Sequence, residues 1–409
     1  MPLYFDNAAT TPLHPKALEA MLPYLNGNYA NPSSVYAPAR EARKAIDQAR
    51  QTVAAAINAK PEEIIFTSSG TEAINWAIMG VAEALHKKGR HIITTSVEHH
   101  AALYTCKYME KQGYEVTYLP VSTQGIVSPE AVKAAIRPDT VLVSVIFANN
   151  EVGAIQPMGA IGEITRGAGV VLHTDAVQAV GHIPVDVEAL NIDILSLSAH
   201  KFYGPKGAGA QYIRKGTPIM PLLYGGAQER GRRAGTENVA GIVGLAAALT
   251  IAMDEMDSEG RRLSVLRDRL INEILTRVPH TQLNGPPGGG RLSGEGRLSG
   301  EGRLPDDARL PGNVNITFSF IEGESLLLHL DMLGCQASTG SACSSGSLTP
   351  SHVLTAMGLS HEQANGTLRF SLGRDTTEED IEALMAILEK SVARLRELSP
   401  LYDDFLKTK

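Results

Sequence analysis

Short apolar runs that alternate with helical stretches constrain this chain more than any other feature. Val141–Phe147 and Val170–His173 are apolar at nearly every position. Such runs suit strands covered on both faces, because a half-exposed strand would alternate apolar with polar residues. Ile64–Thr67, His91–Ser96, Glu115–Leu119 and Ile192–Leu197 read as further strands, and Thr71–His86 reads as a helix. Strands interleaved with helices predict an α/β domain with a mostly parallel sheet. In such sheets ligands sit at the carboxyl ends of the strands.

The pattern changes after Met253. Asp254–Arg277 is a charged helical stretch leading to a Gly/Pro-rich segment over 285–311. Within it, Arg-Leu-Ser-Gly-Glu-Gly occurs at 291–296 and again at 297–302. Two copies of six residues are too few for a solenoid, and the composition predicts an exposed, flexible loop. Asn313–Phe320 alternates as a strand. Thr377–Leu398 reads as a helix opened by Glu378, Glu379 and Asp380, whose charges suit a helix N-terminus. The expected division is a large domain over 15–253 and a smaller α+β domain made of 1–14 plus 254–409.

The net charge of −7 argues against a nucleic-acid partner. Cys106, Cys335 and Cys343 are too few and too odd for a disulfide framework and match no zinc-ligand spacing, so no metal site is expected. Cys106 and Cys335 read as buried packing residues. Met1–Asp6 lacks the basic and apolar regions of a signal peptide. The longest mostly apolar stretch, Val239–Met253, is shorter than the roughly 20 residues of a membrane span. A cytoplasmic protein without membrane contact is expected.

Polar residues gather where the strands end. Lys201 closes the run that begins at Ile192. Partly desolvated there, its pKa should fall, and a neutral amine can form a Schiff base. Alone, it reads better as a surface lysine. Asp175 follows Val170–His173, one strand–helix–strand unit earlier. An amine and an acid at neighbouring strand ends are the pair that pyridoxal phosphate requires, the acid keeping the pyridine nitrogen protonated. Alone, Asp175 reads equally well as a helix cap. Thr67–Ala73 puts small residues and Gly70 between a strand and a helix, where backbone amides approach a phosphate. Ser69–Glu72 also reads as a capping box. His99 is either a ring placed to stack on a flat cofactor or an ordinary loop residue. Asn149 and Asn150 follow a fifth strand end. Ser338–Ser347 is a small-residue loop with Cys343 near its middle, either an incidental thiol or a nucleophile that must travel.

In this order along the chain, these segments resemble the cysteine desulfurases, pyridoxal-phosphate enzymes of the class V aminotransferase group, and most closely those of the nitrogen-fixation type. The resemblance runs nearly end to end through Tyr4–Pro12, Asn31–Ser34, Ser69–Glu72, Ala148–Glu151, His173–Gln178, Ala199–Lys201, Gln228–Asn238, the Cys343 loop and Leu368–Leu372. It implies a fold-type I pyridoxal-phosphate transferase with a mostly parallel sheet in the large domain. It further implies that Lys201 holds the cofactor, that His99 stacks on the ring and assists proton transfer, and that Asp175 pairs the ring nitrogen and Gln178 the ring hydroxyl. Gly70, Thr71, Ser198 and His200 would hold the phosphate, and Thr236 would reach it from the second subunit of a homodimer. Asn150 and Arg369 would hold the substrate carboxylate, a task that suits the bidentate arginine fork. Cys343 would be the nucleophile that converts L-cysteine to L-alanine and keeps the sulfur as a persulfide. That sulfur would pass to a scaffold or other acceptor protein for iron–sulfur cluster assembly, nitrogenase metalloclusters included. A thiol with an ordinary pKa of about 8.5 needs activation, and His99 is the candidate.

Two features depart from the family pattern. The hexamer repeat over 288–302 looks like an insertion, and Ser344 stands where threonine is expected after the cysteine. A selenocysteine lyase, or a general sulfur donor for other thio-cofactors, would share the same residues. A nicotinamide dehydrogenase is disfavoured, because no Gly-x-Gly-x-x-Gly follows the first strand. Ser399–Tyr402 reads as a frayed tail or as a docking surface for a scaffold.

Overall fold

The computed structural model describes residues 3–287, 309–339 and 350–407; the hexamer repeat and Cys343 lie outside them. The strands are β1 (Leu3–Tyr4), β2 (Ile64–Thr67), β3 (His91–Thr95), β4 (Glu115–Leu119), β5 (Thr140–Ile146), β6 (Val171–Asp175), β7 (Ile194–Ser198), β8 (Gly209–Ile213), β9 (Thr281–Leu283), β10 (Asn313–Phe318), β11 (Cys335–Gln336), β12 (Ser338–Thr339) and β13 (Thr367–Ser371). The helices used below are α1 (Pro15–Leu22), α2 (Ala37–Ala56), α3 (Gly70–Ala84), α4 (His100–Lys111), α5 (Pro129–Ala135), α6 (Met158–Ala168), α7 (Val239–Arg277), α8 (Gly323–Met332) and α9 (His352–Ala356).

Seven strands form one sheet in the order β2-β8-β7-β6-β5-β3-β4. β4, β3, β5, β6 and β7 pair in parallel, and β8 inserts antiparallel between β7 and β2. Every residue of β5 and β6 is buried, as the unbroken apolar runs require. Successive residues of a strand point to opposite faces. Ile93 enters a core with Ile46 and Val53 of α2 and Leu245 and Leu249 of α7. Ile92 enters the opposite core, with Ile78 and Val81 of α3 and Ala102 and Cys106 of α4. The result is a sheet between two helical layers.

A second, antiparallel sheet has the order β12-β13-β10-β9, and β1 pairs in parallel with β11. Its core joins Phe5, Leu270, Ile274, Phe318, Phe370 and Leu384. Phe5 meets Phe370 edge to face at 6.3 Å, so the first residues of the chain are packed among the last. Cys106 and Cys335 are buried packing residues, and burial pushes both thiols up to about 12.

Met253 is followed by no break: α7 runs unbroken from Val239 to Arg277. Most polar residues after Met253 lie on its more exposed side, with Arg267 buried, while Leu263, Leu266, Leu270 and Ile274 keep the apolar stripe at helical spacing. Arg269–Glu273 and Glu273–Arg277 pair across single turns. By length and composition α7 passes for a membrane span, but its apolar half packs on α1 and α2. α1, α2 and β8 have no counterpart among the expected elements. Lys201 stands one short turn (Ala199–Lys201) beyond β7 rather than at its end.

Proline at 254 would be harmless in a linker. In a continuous helix it removes a hydrogen bond and clashes with the preceding turn. Asp254→Pro is expected to lower the unfolding free energy by about 3 kcal/mol or more, read from urea denaturation.

Candidate active site

The carboxyl ends of the parallel strands and the turn Asp6–Ala9 meet around a cavity of about 350 Å³, within the usual size for a small-ligand site. Gly70, Thr71, His99, Asn150, Asp175, Gln178, Ser198, His200, Lys201 and Arg369 all line it. Thr236 does not; it is exposed on the segment leading into α7. Cys343 lies outside the described residues.

Asp175 is the last residue of β6 and is only 4% exposed. Its Oδ1 accepts the Val177 amide at 3.0 Å. Burial pushes its pKa up to about 6, against the pull of that amide and of the Lys201 charge. Lys201 Nζ donates to the carbonyls of Ala8 and Ala9, each at 2.7 Å. Gln178 Nε2 also donates to Ala8 O, at 2.9 Å. Burial, with Lys201 adding to it, lowers both His99 and His200 to about 4, so both rings are neutral. His99 Nδ1 accepts the Ala101 amide at 3.1 Å, capping α4, which leaves the proton of the neutral ring on Nε2.

At the other end, α3 begins at Gly70. Ser69 Oγ accepts the Glu72 amide at 3.1 Å, so half of the capping box forms. The Glu72 carboxylate reaches back to the Ser68 amide, at 2.9 Å, instead of the Ser69 amide, and pairs with Arg233 at 2.8 Å. The amides of Gly70 and Thr71 have no hydrogen bond to another described residue. A Cβ on Gly70 would lie 2.7 Å from Val177 Cγ2, so only glycine lets the helix start this close to the turn after β6. Unfilled amides at the start of a 15-residue helix, beside Ser198 and His200, suit an anion. Arg369, 1% exposed, donates from Nη1 to Asn150 O at 3.1 Å and from Nη2 to Asp6 Oδ1 at 2.8 Å. An amine, a buried carboxylate at the adjacent strand end, a neutral ring and an anion cradle fit pyridoxal phosphate: a positive ring nitrogen would offset the cost of burying the carboxylate.

The segment ahead of Thr236 is held by a buried pair. Arg50 Nη1 and Nη2 donate to the two carboxylate oxygens of Glu229, each at 2.7 Å, and Glu229 also accepts the Phe66 amide at 2.9 Å. A bidentate fork of this kind fixes geometry as well as charge.

Three acids of the site are not visible in the sequence as such. Asp6 is the first. Glu98 is 1% exposed. Its Oε1 accepts from Thr95 Oγ1 at 2.6 Å and from the Ile146 amide at 2.9 Å, while Oε2 has no partner among the described residues. Burial, with the nearby Asp175 charge adding to it, pushes its pKa up to about 8. Glu151 is fully buried, accepts from Ser351 Oγ at 2.5 Å, and is pushed up to about 7 by burial. The next residue, His352, hydrogen-bonds through Nε2 to Glu98 O at 2.9 Å. Both glutamates sit in strand-end motifs, where an acid in a polar loop reads as solvated.

The native chain holds a proton on Glu98 that the unfolded chain releases above the ordinary carboxyl pKa of 4.5. Its contribution to stability is therefore full below that value and is lost as pH rises to about 8. Glu98→Gln is expected to lose less stability than the native protein between about pH 5 and about pH 8, by urea midpoints at both.

The sequence profile of the class-V aminotransferases matches residues 3–294 and 299–384. "Cysteine desulfurase IscS" of Clostridium botulinum (strain Hall) is 53% identical over 407 residues, covering 100% of this chain and 98% of the relative. The protein of that name from Methanosarcina thermophila is 54% identical over 399 residues, 98% of this chain and 94% of the relative. A solved "NIFS-LIKE PROTEIN" superposes with a TM-score of 0.87 at 38% identity, covering 97% of this chain and 100% of its own. "SspA in complex with cysteine" gives 0.75 at 37% identity, over 90% and 98%. Identity of this extent, over a fold whose strand ends already gather the lysine, the aspartate and the anion cradle, leaves one assignment: the chain belongs to the class-V aminotransferases, pyridoxal-phosphate enzymes, in their cysteine desulfurase branch.

Proposed function

We propose that this chain takes sulfur from L-cysteine, releases L-alanine and carries the sulfur as a persulfide on Cys343 for iron–sulfur cluster assembly. The observation that carries the reading is the pairing of Lys201 and Asp175 in one cavity with the buried Arg369. The names of the curated relatives, and the complex of one structural relative with cysteine, support the substrate. Supply of nitrogenase clusters is the narrower form of the same role.

Pyridoxal phosphate, when bound, supplies an electron sink for the substrate's α-carbon. Asp175 keeps the ring nitrogen positive; Gln178 and His99 orient the ring. The Gly70 and Thr71 amides, Ser198 and His200 take the phosphate, joined by Thr236 of a second copy, which makes the working unit a homodimer. Arg369 and Asn150 hold the substrate carboxylate and so turn the α-proton toward Lys201 Nζ, which removes it. His99 passes a proton from Nε2. The Cys343 thiolate attacks the substrate sulfur: an S–S bond forms, the C–S bond breaks with its electron pair left on the β-carbon, the β-carbon takes a proton to become the methyl group, and the α-carbon regains its proton from Lys201, giving alanine.

The described flanks support access for Cys343. Thr339 pairs with Leu368, the neighbour of Arg369, and Ser351 and His352 are tied to Glu151 and Glu98. Four residues from Thr339 to Cys343 reach about 14 Å at most. The two cores support a large domain over 15–253 and a smaller one over 1–14 plus 254–409 that carries the cysteine loop, with α7 belonging to both. The cytoplasm is the proposed compartment.

Cofactor-loaded protein should release alanine from L-cysteine in the presence of a thiol reductant. Cys343→Ser is expected to lose at least about a hundredfold in that rate while keeping the cofactor absorbance, and Lys201→Ala to lose both. Alanine release by Cys343→Ser at the native rate would overturn the persulfide assignment. No release by loaded native protein would overturn cysteine as the substrate and move the search to selenocysteine.

A further inference from the structure

Arg369 already carries a carboxylate of the chain itself. Its guanidinium is 1% exposed, and Nη2 lies 2.8 Å from Asp6 Oδ1, whose side chain is 21% exposed. Asp6 is held firmly. Tyr4 Oη donates to Asp6 O at 3.1 Å and to Thr10 O at 2.7 Å. Asp6 bridges Ser371, and the Ala8 amide donates to Ser371 Oγ at 2.9 Å. Asn150 O takes Nη1 on the other side, and Nε has no partner among the described residues. Glu151, the other acid that feels this charge, forms no ion pair with it and is hydrogen-bonded to Ser351.

A buried guanidinium without a counter-ion is costly, and any carboxylate that reached it would be held tightly. With Asp6 in place, an incoming carboxylate meets a charge that is already partly balanced. We propose that Asp6 sets the affinity of the substrate site: it shares Arg369 with the carboxylate of the amino acid and holds substrate and product less tightly than Arg369 alone would. The inference rests on the assignment of Arg369 to the substrate carboxylate. Substrate and product carry the same carboxylate, so the shared charge acts on both alike. An interaction of that kind moves KM more than kcat.

Asp6→Asn keeps the size and an acceptor oxygen and removes the charge. KM for L-cysteine, from alanine release, and Kd for L-alanine, from calorimetry on the cofactor-loaded protein, are both expected to fall about tenfold, with kcat moving less than KM. L-Alanine should also raise the melting temperature of the variant more than that of the native protein. Asp6→Ser should shift both constants in the same direction and covers the case in which Asp6→Asn folds poorly. Arg369→Lys in the native background tests the underlying assignment and should raise KM about tenfold or more. An unchanged KM in Arg369→Lys overturns the carboxylate assignment. A raised KM there, with both constants unchanged or raised in the Asp6 variants, overturns the sharing and leaves Asp6 a structural strap.

Discussion

A carboxylate sealed from water at the end of a central strand sets the terms for everything around it. Asp175 is there because β6 is covered on both faces, so the strand end is where its backbone run can give way to polar side chains. A buried acid needs a positive partner or must hold its proton. Lys201 supplies part of that charge from the turn after β7, and the neighbouring groups arrange themselves to leave it intact. The imidazoles of His99 and His200 stay neutral, and Glu98, raised by burial and by the nearby Asp175 charge, keeps its proton. A buried acid beside an amine, with two neutral rings around them, is a narrow electrostatic solution, and the parallel sheet is what imposes it.

The two cores meet at this point rather than merely lying side by side. α7 contributes Leu245 and Leu249 to one core and Leu270 and Ile274 to the other. The turn Asp6–Ala9 reaches the opposite way, giving two carbonyls to Lys201 and a carboxylate to Arg369. Arg50 and Glu229 fasten the segment ahead of Thr236 to β2. The functional side chains thus sit on strand ends, on the first turn of α3, on β13, or on short connections between such elements.

How much of this was legible in the sequence follows from the range over which each signal acts. Periodicity is local, so the strands of the large sheet and the residues after them could be read from consecutive positions. Lys201 and Asp175 were visible because they follow apolar runs one unit apart. Domain limits were less legible: Asp254 looks like a change of element, yet it is only the point where the exposed face of α7 turns charged. The roles of Asp6, Glu98 and Glu151 depend on burial by residues far away in sequence, and no local pattern distinguishes a buried acid from a solvated one. The antiparallel β8 is short and opens with Gly209, and its place between β7 and β2 is a property of the whole sheet.

The turn Asp6–Ala9 is made long before its partners. Ala8 waits for Lys201, 193 residues later, and Asp6 waits for Arg369, 363 residues later. At about 5–20 residues per second of synthesis, the second wait is on the order of 20–70 s. Through it Phe5 has no Phe370 to pack on and Leu3–Tyr4 has no Cys335–Gln336 to pair with. A nascent chain that lacks Arg369 therefore still carries an unfastened turn at Asp6–Ala9, and the site closes only when both of these distant segments are present.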